Sequence, residues 1–503
     1  MKITAMRRWQ PTLGSLYCWR PRADCLAAAE QAPIYPGPLT FLAENHIRSA
    51  AARAAGRAHH AYLGSGTEVD GPLDVAALTA ALTDFVQRHP VLRLWFEVDN
   101  GAVIPHALDA KSVAFEAQPA GPVTSMSALH DHLRERFASE SGSESFPGIA
   151  FGALAHDTGF AVYLACDHAL SDGASQALAL TEIVEMYHYF REHGLPGAAV
   201  GDVDVGDVAD EEVSGTESGH LSYARIEAAA TAHHLQGTPE TRKWQEIFAR
   251  HDFAMPRFAL DLGLAPGETA AMRPYELSLL DGAGIAAFDA ACKAAGGRFI
   301  DGIYAALGIT DHELAGLDDY FGMTVFNTRM ALPDHDTAQG WYCAFAPVEF
   351  RVAASDSFAE LIEHSHAARL QAKELAAVPT AAALAALAGA GAAPEAIVAA
   401  PNLVSYIDFR WFPGSDTAAY QRGRIFTGEG ATSNASVWIN RDHDELYLGS
   451  QTPDTVIAQL AVDRYYRHLR DVIREVAATG GHRIVHPTAS TGHVRAALPQ
   501  EVS

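Results

Sequence analysis

Residues 148–166 read "GIAFGALAHDTGFAVYLAC", two apolar runs broken by Asp157-Thr158-Gly159. A break this short joins antiparallel neighbours, because parallel strands need a crossover of a dozen residues or more. The hairpin therefore sets the architecture against a doubly wound parallel sheet. What flanks it is helical. Residues 126–139 carry Leu129, Leu133 and Phe137 at helical spacing, and Ala174 to about Glu192 carry Leu180, Ile183, Val184 and Tyr187. Upstream, Asp74 is an expected N-cap for a helix with Leu78, Leu82, Phe85 and Val86 on one face. That helix should stop near His89, since Pro90 cannot continue the ladder, and "LRLWFEV" follows as a strand.

The second half repeats the mixture. "TPETRKWQEIFARH" starts as a helix with Thr238 as cap, Pro239 at the first position and Glu240 in the first turn. "YELSLL", "DYFGMTVFNTR", "CAFAPVEFRV", "NLVSYIDFR", "NASVWINRD" and "ELYLGSQT" read as strands, and a long amphipathic helix closes the pattern from Asp454. Between the halves, residues 196–220 are rich in Gly, Asp and Glu without helical period and read as a linker. The 503 residues exceed one ordinary core. The expected organisation is an α+β fold with one lobe over 1–195, the linker over 196–220 and a second lobe over 221–503.

Charge and cysteine narrow the function. With 36 Lys and Arg against 61 Asp and Glu, the net charge is −25, which argues against binding nucleic acid through a general basic surface. Five Cys at 18, 25, 166, 292 and 343 form no C-x-x-C pair and read as reduced thiols of a cytoplasmic protein. The N-terminus lacks an apolar signal-peptide core, and the Ala-rich tract over 374–401 is broken by Pro379, Gly389 and Gly391, so no transmembrane helix is expected. His pairs at 59/60, 130/132, 233/234 and 364/366 lack a third ligand at a recognised spacing, and no metal site is assigned. Gly282-x-Gly284-x-x-Ala287 nearly matches a dinucleotide fingerprint, but the strand before it alternates polar and apolar residues where a central parallel strand would be apolar throughout. It reads as a Gly-rich turn.

The second strand of the hairpin ends in "ACDHALSDG", residues 165–173. His168 stands at the strand end, where a cleft can form, and Asp172 lies four residues on. Locally, His168 is either a base or a half-buried imidazole held by a turn. Asp172 can fold back toward it or pair with a cation elsewhere. Gly173 allows a backbone angle or a close approach that a side chain would forbid.

"DHALSDG" resembles the H-H-x-x-x-D-G signature of the condensation-domain superfamily, which includes chloramphenicol acetyltransferase-like enzymes, nonribosomal peptide condensation domains and polyketide-associated acyltransferases. Further segments resemble the family in order. They are the helix ending in Arg88, His89, Leu92, Arg93 and Phe96; "GMTVFNTRM…GWYCAFAPVEFRV"; "VSYIDFRWFP"; and "VWINRDHDELYLGSQTPD…VDRYYRHLRDVI". The opening "RRWQPTLGSLYCW…QAPIYPGPLTFL" is similar to actinobacterial polyketide-associated acyltransferases of the trehalose type.

The resemblance implies two chloramphenicol-acetyltransferase-like lobes in a V-shaped pseudo-dimer with a tunnel at their junction. It implies that His168 activates the acceptor, that Asp172 is a structural partner of Arg329 from the second lobe, and that Gly173 lies beside the reacting centre. One departure stands out: the first His of the signature, a structural position, is Asp167. If neighbours on the strand face opposite sides, Asp167 does not touch the imidazole of His168.

The activity implied is acyl or aminoacyl transfer from a thioester to a hydroxyl or amine. The donor is a phosphopantetheine arm on an acyl- or peptidyl-carrier protein or on coenzyme A, with no bound cofactor, in natural-product or glycolipid biosynthesis. His168 would take the acceptor's proton and return it to the leaving thiolate, and backbone N–H groups near Gly173 would hold the oxyanion. The chain is expected to act as a monomer. Two alternatives remain: a non-catalytic carrier- or metabolite-binding protein on the same fold, and hydrolysis or epimerisation of a carrier-bound acyl group.

Overall fold

A computed structural model describes residues 1–53, 60–195, 219–333 and 337–485. Residues 196–218, most of the linker segment, lie outside the described residues, and a helix begins at His220.

Two mixed seven-stranded sheets form among the described residues. The first runs, edge to edge, Lys2–Ile3, Arg424–Glu429, His60–Asp70, Gly159–Asp167, Ile149–His156, Ser15–Pro21 and Phe115–Pro122. At its centre is the hairpin, with Phe151 opposite Leu164 and Ile149 opposite Cys166. The second sheet runs Cys343–Arg351, Asp319–Asn327, Leu403–Asp408, Val437–Arg441, Glu445–Pro453, Ala270–Asp281 and Ala431–Thr432. Helices pack on both, so the fold is α+β in two lobes.

The second half of the sequence contributes one strand to the first sheet. Arg424–Glu429, from the second half of the sequence, lies between Lys2–Ile3 and His60–Asp70, with Arg424 opposite Gly66 and Phe426 opposite Gly64. The first lobe, read from the sequence as residues 1–195, therefore holds this later strand in its sheet. Six residues, "RIFTGE", are too short to show a period of their own.

Local chemistry sets the element ends. Asp74 Oδ1 accepts from the Ala76 and Ala77 N–H groups and starts the helix Val75–Arg88. Its apolar face, Leu78, Leu82, Phe85 and Val86, is buried and packs against the helix Gly173–His193. Thr238 and Thr241 close a reciprocal capping box on Pro239–Ala249. The Gly282-x-Gly284 segment is likewise a helix start: Asp281 Oδ1 accepts from Gly284 N–H at 2.8 Å, and the strand before it runs antiparallel to Glu445–Pro453. No parallel crossover precedes it, so the geometry of a dinucleotide site is missing there.

Among the described residues no single helix is long and apolar enough to cross a membrane. The helix pair Phe358–Leu375 and Thr380–Gly389, bent by 99°, buries Leu361, Ile362, Leu375 and Leu387 in the second core.

Candidate active site

The helix Gly173–His193 explains how the signature is held. Asp172 is its N-cap, accepting from Ser175 N–H at 2.8 Å. The same carboxylate receives a two-pronged bond from Arg329, Nη2 to Oδ1 at 2.7 Å and Nη1 to Oδ2 at 3.0 Å, and a further bond from Tyr342 N–H at 2.9 Å. Asp172 thus turns away from His168, to a cation 157 residues later in the chain. Both charges are almost wholly out of water, with side chains 7% and 4% exposed. Burial pushes the Asp172 carboxyl up, but the Arg329 guanidinium and the N–H donors outweigh it and hold the group below its ordinary value.

Arg329 is fixed in turn. Its Nε donates to the Ala338 carbonyl at 3.1 Å, its Nη2 bonds Ser175 Oγ, and its guanidinium lies 4.5 Å from the Tyr342 ring centre. Gly340 closes the knot at φ +145°, donating to Ser175 Oγ at 3.0 Å, and a Cβ there would sit 2.5 Å from the His220 ring. The knot ties the first lobe's signature to the segment between two strands of the second sheet.

His168 begins a short helical turn, His168–Leu170. Its Nδ1 lies 2.9 Å from the Ser171 carbonyl, an acceptor, so Nδ1 carries the proton and Nε2 keeps a free lone pair. The Trp341 ring lies over the imidazole at 4.0 Å between centres, and the His46 ring stands 6.0 Å away. Burial, with His46 adding to it, pushes the His168 imidazole below its ordinary value. At neutral pH it is uncharged, as a base must be.

Asp167 faces elsewhere. Its Oδ1 accepts from Ala169 N–H at 2.7 Å and lies 3.2 Å from His46 Nε2. That approach is close, but bent away from hydrogen-bond geometry, and His46 Nε2 is buried without a hydrogen-bond partner. Gly173 has no left-handed φ, and a Cβ on it would meet nothing nearer than Ile407 Cδ1, at 3.9 Å. Of the two roles read from the sequence, the backbone angle is therefore not needed. What the missing side chain leaves is open space. Gly173 and Ala174, the first residues of the helix, border it, at a helix end that attracts negative charge.

That space is part of a cavity of about 510 Å³ whose walls come from both sheets. Tyr62, Leu63 and Ile425 line it from the first sheet, and Val325, Leu403 and Val437 from the second. His46, His168, Asp172, Gly173, Arg329 and Trp341 all border it. Cys343 does too, but burial and Asp172 push its thiol up, so it offers no thiolate. Among the described residues no group of three or more His, Cys, Asp or Glu could hold a metal ion.

His46 and Trp341 are the site residues that motif reading misses. His46 sits on the helix Phe41–Arg53, 121 residues before Asp167. The signal that could have pointed to it is Asp167 itself: a carboxylate where the signature has an imidazole invites a search for an imidazole elsewhere.

No protein-family model matches the chain. The chain is 27% identical over 493 residues to 2'-acyl-2-O-sulfo-trehalose (hydroxy)phthioceranyltransferase PapA1 of Mycobacterium tuberculosis, covering 95% of this chain and 89% of the relative. It is 27% identical over 488 residues to trehalose-2-sulfate acyltransferase PapA2 of Mycobacterium bovis, covering 93% and 96%. Among solved structures, PapA2 acyl transferase superposes with a TM-score of 0.81 at 23% identity, over 95% of this chain and 100% of that one. The first condensation domain of the calcium-dependent antibiotic synthetase superposes at 0.63 with 18% identity, over 89% and 97%.

The chain is an acyltransferase on a fold that it shares with PapA2 and with condensation domains. Along nearly its whole length it is similar to the mycobacterial PapA acyltransferases.

Proposed function

We propose that the chain moves an acyl group from a phosphopantetheine thioester to a hydroxyl of an uncharged polyol, forming an ester, with His168 as the base. The observation that carries this is the imidazole itself: Nδ1 is tied to the Ser171 carbonyl, Nε2 is free, and the ring borders a cavity walled by both lobes. In the forward step Nε2 takes the acceptor hydroxyl's proton as the oxygen attacks the thioester carbonyl. As the C–S bond breaks, the same proton passes to the thiolate. The N–H groups of Gly173 and Ala174 face the developing oxyanion, and Asp172, locked by Arg329, holds the helix end in place without taking a proton.

The named relatives act on sulfated trehalose, which supports a sugar-like acceptor. The cavity wall argues that this one is uncharged. It carries Asp172, Asp408 and Glu429. Arg329 is the lining Lys or Arg among the described residues, and it is committed to Asp172. Asp172 is paired with Arg329 and Asp408 with Arg410, so among the described residues a sulfate placed there would meet the Glu429 carboxylate without a free cation.

The test is intact-mass analysis of an acylated carrier protein, and in parallel acyl-coenzyme A, with and without a polyol acceptor. Acceptor-dependent loss of the acyl group with ester formed supports transfer, and the faster donor names the source of the arm. Acyl loss without acceptor indicates a hydrolase, and no loss with any donor a binding protein. A His168→Ala variant that transfers as fast as wild type removes the base assignment.

A further inference from the structure

The Asp167–His46 arrangement lies outside the signature's chemistry, yet it borders the same cavity. His46 reaches that wall from the helix Phe41–Arg53, whose first N–H, that of Phe41, is held by Glu227 Oε2 at 3.0 Å. Its Nε2 is buried and leans on the Asp167 carboxylate at 3.2 Å. A carboxylate on that side favours the proton on Nε2 and leaves the lone pair on Nδ1. Nδ1 makes no hydrogen bond to a described residue, and the ring stands edge-on to Trp341 at 5.8 Å. Asp167 is itself fixed by Ala169 N–H at 2.7 Å, within the turn that aims His168. One rigid turn thus orients two imidazoles, His168 directly and His46 through Asp167, with ring centres 6.0 Å apart. Both rings border the same cavity.

We infer that His46 is a second acceptor-binding residue: its Nδ1 accepts a hydrogen bond from the hydroxyl on the carbon next to the one whose hydroxyl reacts at His168. Asp167 is the positioning residue behind it. Two O–H···N bonds of about 2.8 Å each bridge the rings when their oxygens sit on adjacent carbons. The substrate class is a vicinal diol, and the pair explains a carboxylate at a position where the signature has histidine. This rests on the reading of His168 as the group that meets the acceptor.

Equilibrium binding tests it without any turnover. Calorimetry on the full chain, with no donor present, compares 1,2-octanediol with 1-octanol. Wild type is expected to bind the diol at least ten-fold more tightly, and His46→Ala to bring the ratio of the two affinities near one. His46→Gln, which keeps an acceptor oxygen, should restore part of the ratio. Asp167→Asn keeps the cap on Ala169 but removes the charge behind His46, and should lower the ratio with an unchanged melting temperature. An equal affinity of wild type for the two ligands, or a ratio unmoved in His46→Ala, overturns the inference. Failure of the transfer reading looks different: no acylated product with any acceptor, whatever the affinity ratio.

Discussion

Replacing Arg329 with Met tests the knot that joins the lobes. The substitution keeps much of the side chain's length and removes its charge. Asp172 would keep the Ser175 and Tyr342 N–H donors but lose both guanidinium bonds, while remaining almost fully buried. Breaking a buried pair from one side costs about 3–5 kcal/mol, because the remaining charge is left uncompensated. The Ala338 carbonyl loses its donor as well.

The sign with pH follows from the depressed Asp172 value. A carboxyl held below its unfolded pKa of about 3.9 contributes stability above that pH, and this contribution is lost as pH falls through the folded value. The gap between wild type and Arg329→Met should therefore be largest at pH 7 and shrink toward pH 3. Urea unfolding followed by tryptophan fluorescence at both pH values measures it. Asp172→Asn combined with Arg329→Met removes the orphaned charge and should recover part of the loss. An Arg329→Met protein that unfolds at the wild-type urea midpoint at pH 7, or a double variant no more stable than the single, would refute this account.

His168→Ala should lower transfer by about 10²–10⁴-fold, the usual contribution of a positioned base, measured as initial rates on thioester and acceptor. The acid limb of kcat/KM should fall below the ordinary histidine value of 6.5, because burial and His46 depress His168; a limb above 6.5 contradicts the assignment. Gly173→Ala should fold with an unchanged melting temperature, since only Ile407 lies near the new Cβ, yet lower activity by narrowing the space beside His168; full activity in a folded variant would remove Gly173 from the site. Burial raises the Glu227 carboxyl to about 7, so its stabilising share is full below pH 4.5 and is lost as pH rises through 7. Glu227→Gln should therefore stabilise the protein at pH 8, by up to about 3 kcal/mol, and make little difference at pH 4.5, as thermal unfolding at the two pH values would show.

Much of the site was legible because its parts are local. His168, Asp172 and Gly173 fall within six residues, and the strand-turn-helix pattern around them places them at a sheet end. The helices capped by Asp74 and Thr238 were readable for the same reason: cap, proline and apolar period lie within one segment. Arg329 came only through family likeness, since nothing near "FNTRM" says that its partner is 157 residues away. His46 was not readable from any motif of its own. Its helix, "FLAENHIRSAAAR", has no strong apolar stripe, and its meaning depends on Asp167, which no local rule connects to it. The strand Arg424–Glu429 was missed because sheet membership is a property of the neighbours it finds.

That strand has a consequence for how the protein is made. A ribosome delivers residues 1–195 long before Arg424, yet the edge of His60–Asp70 stays open until Arg424 can pair with Gly66, 358 positions back in the chain. Nascent chains of the first lobe therefore wait with an unpaired edge, the kind of surface that recruits other strands and invites aggregation. Tyr62 and Leu63, on the open strand, and Ile425, on the arriving one, all border the cavity. The wall of that cavity is therefore completed only when the late strand docks.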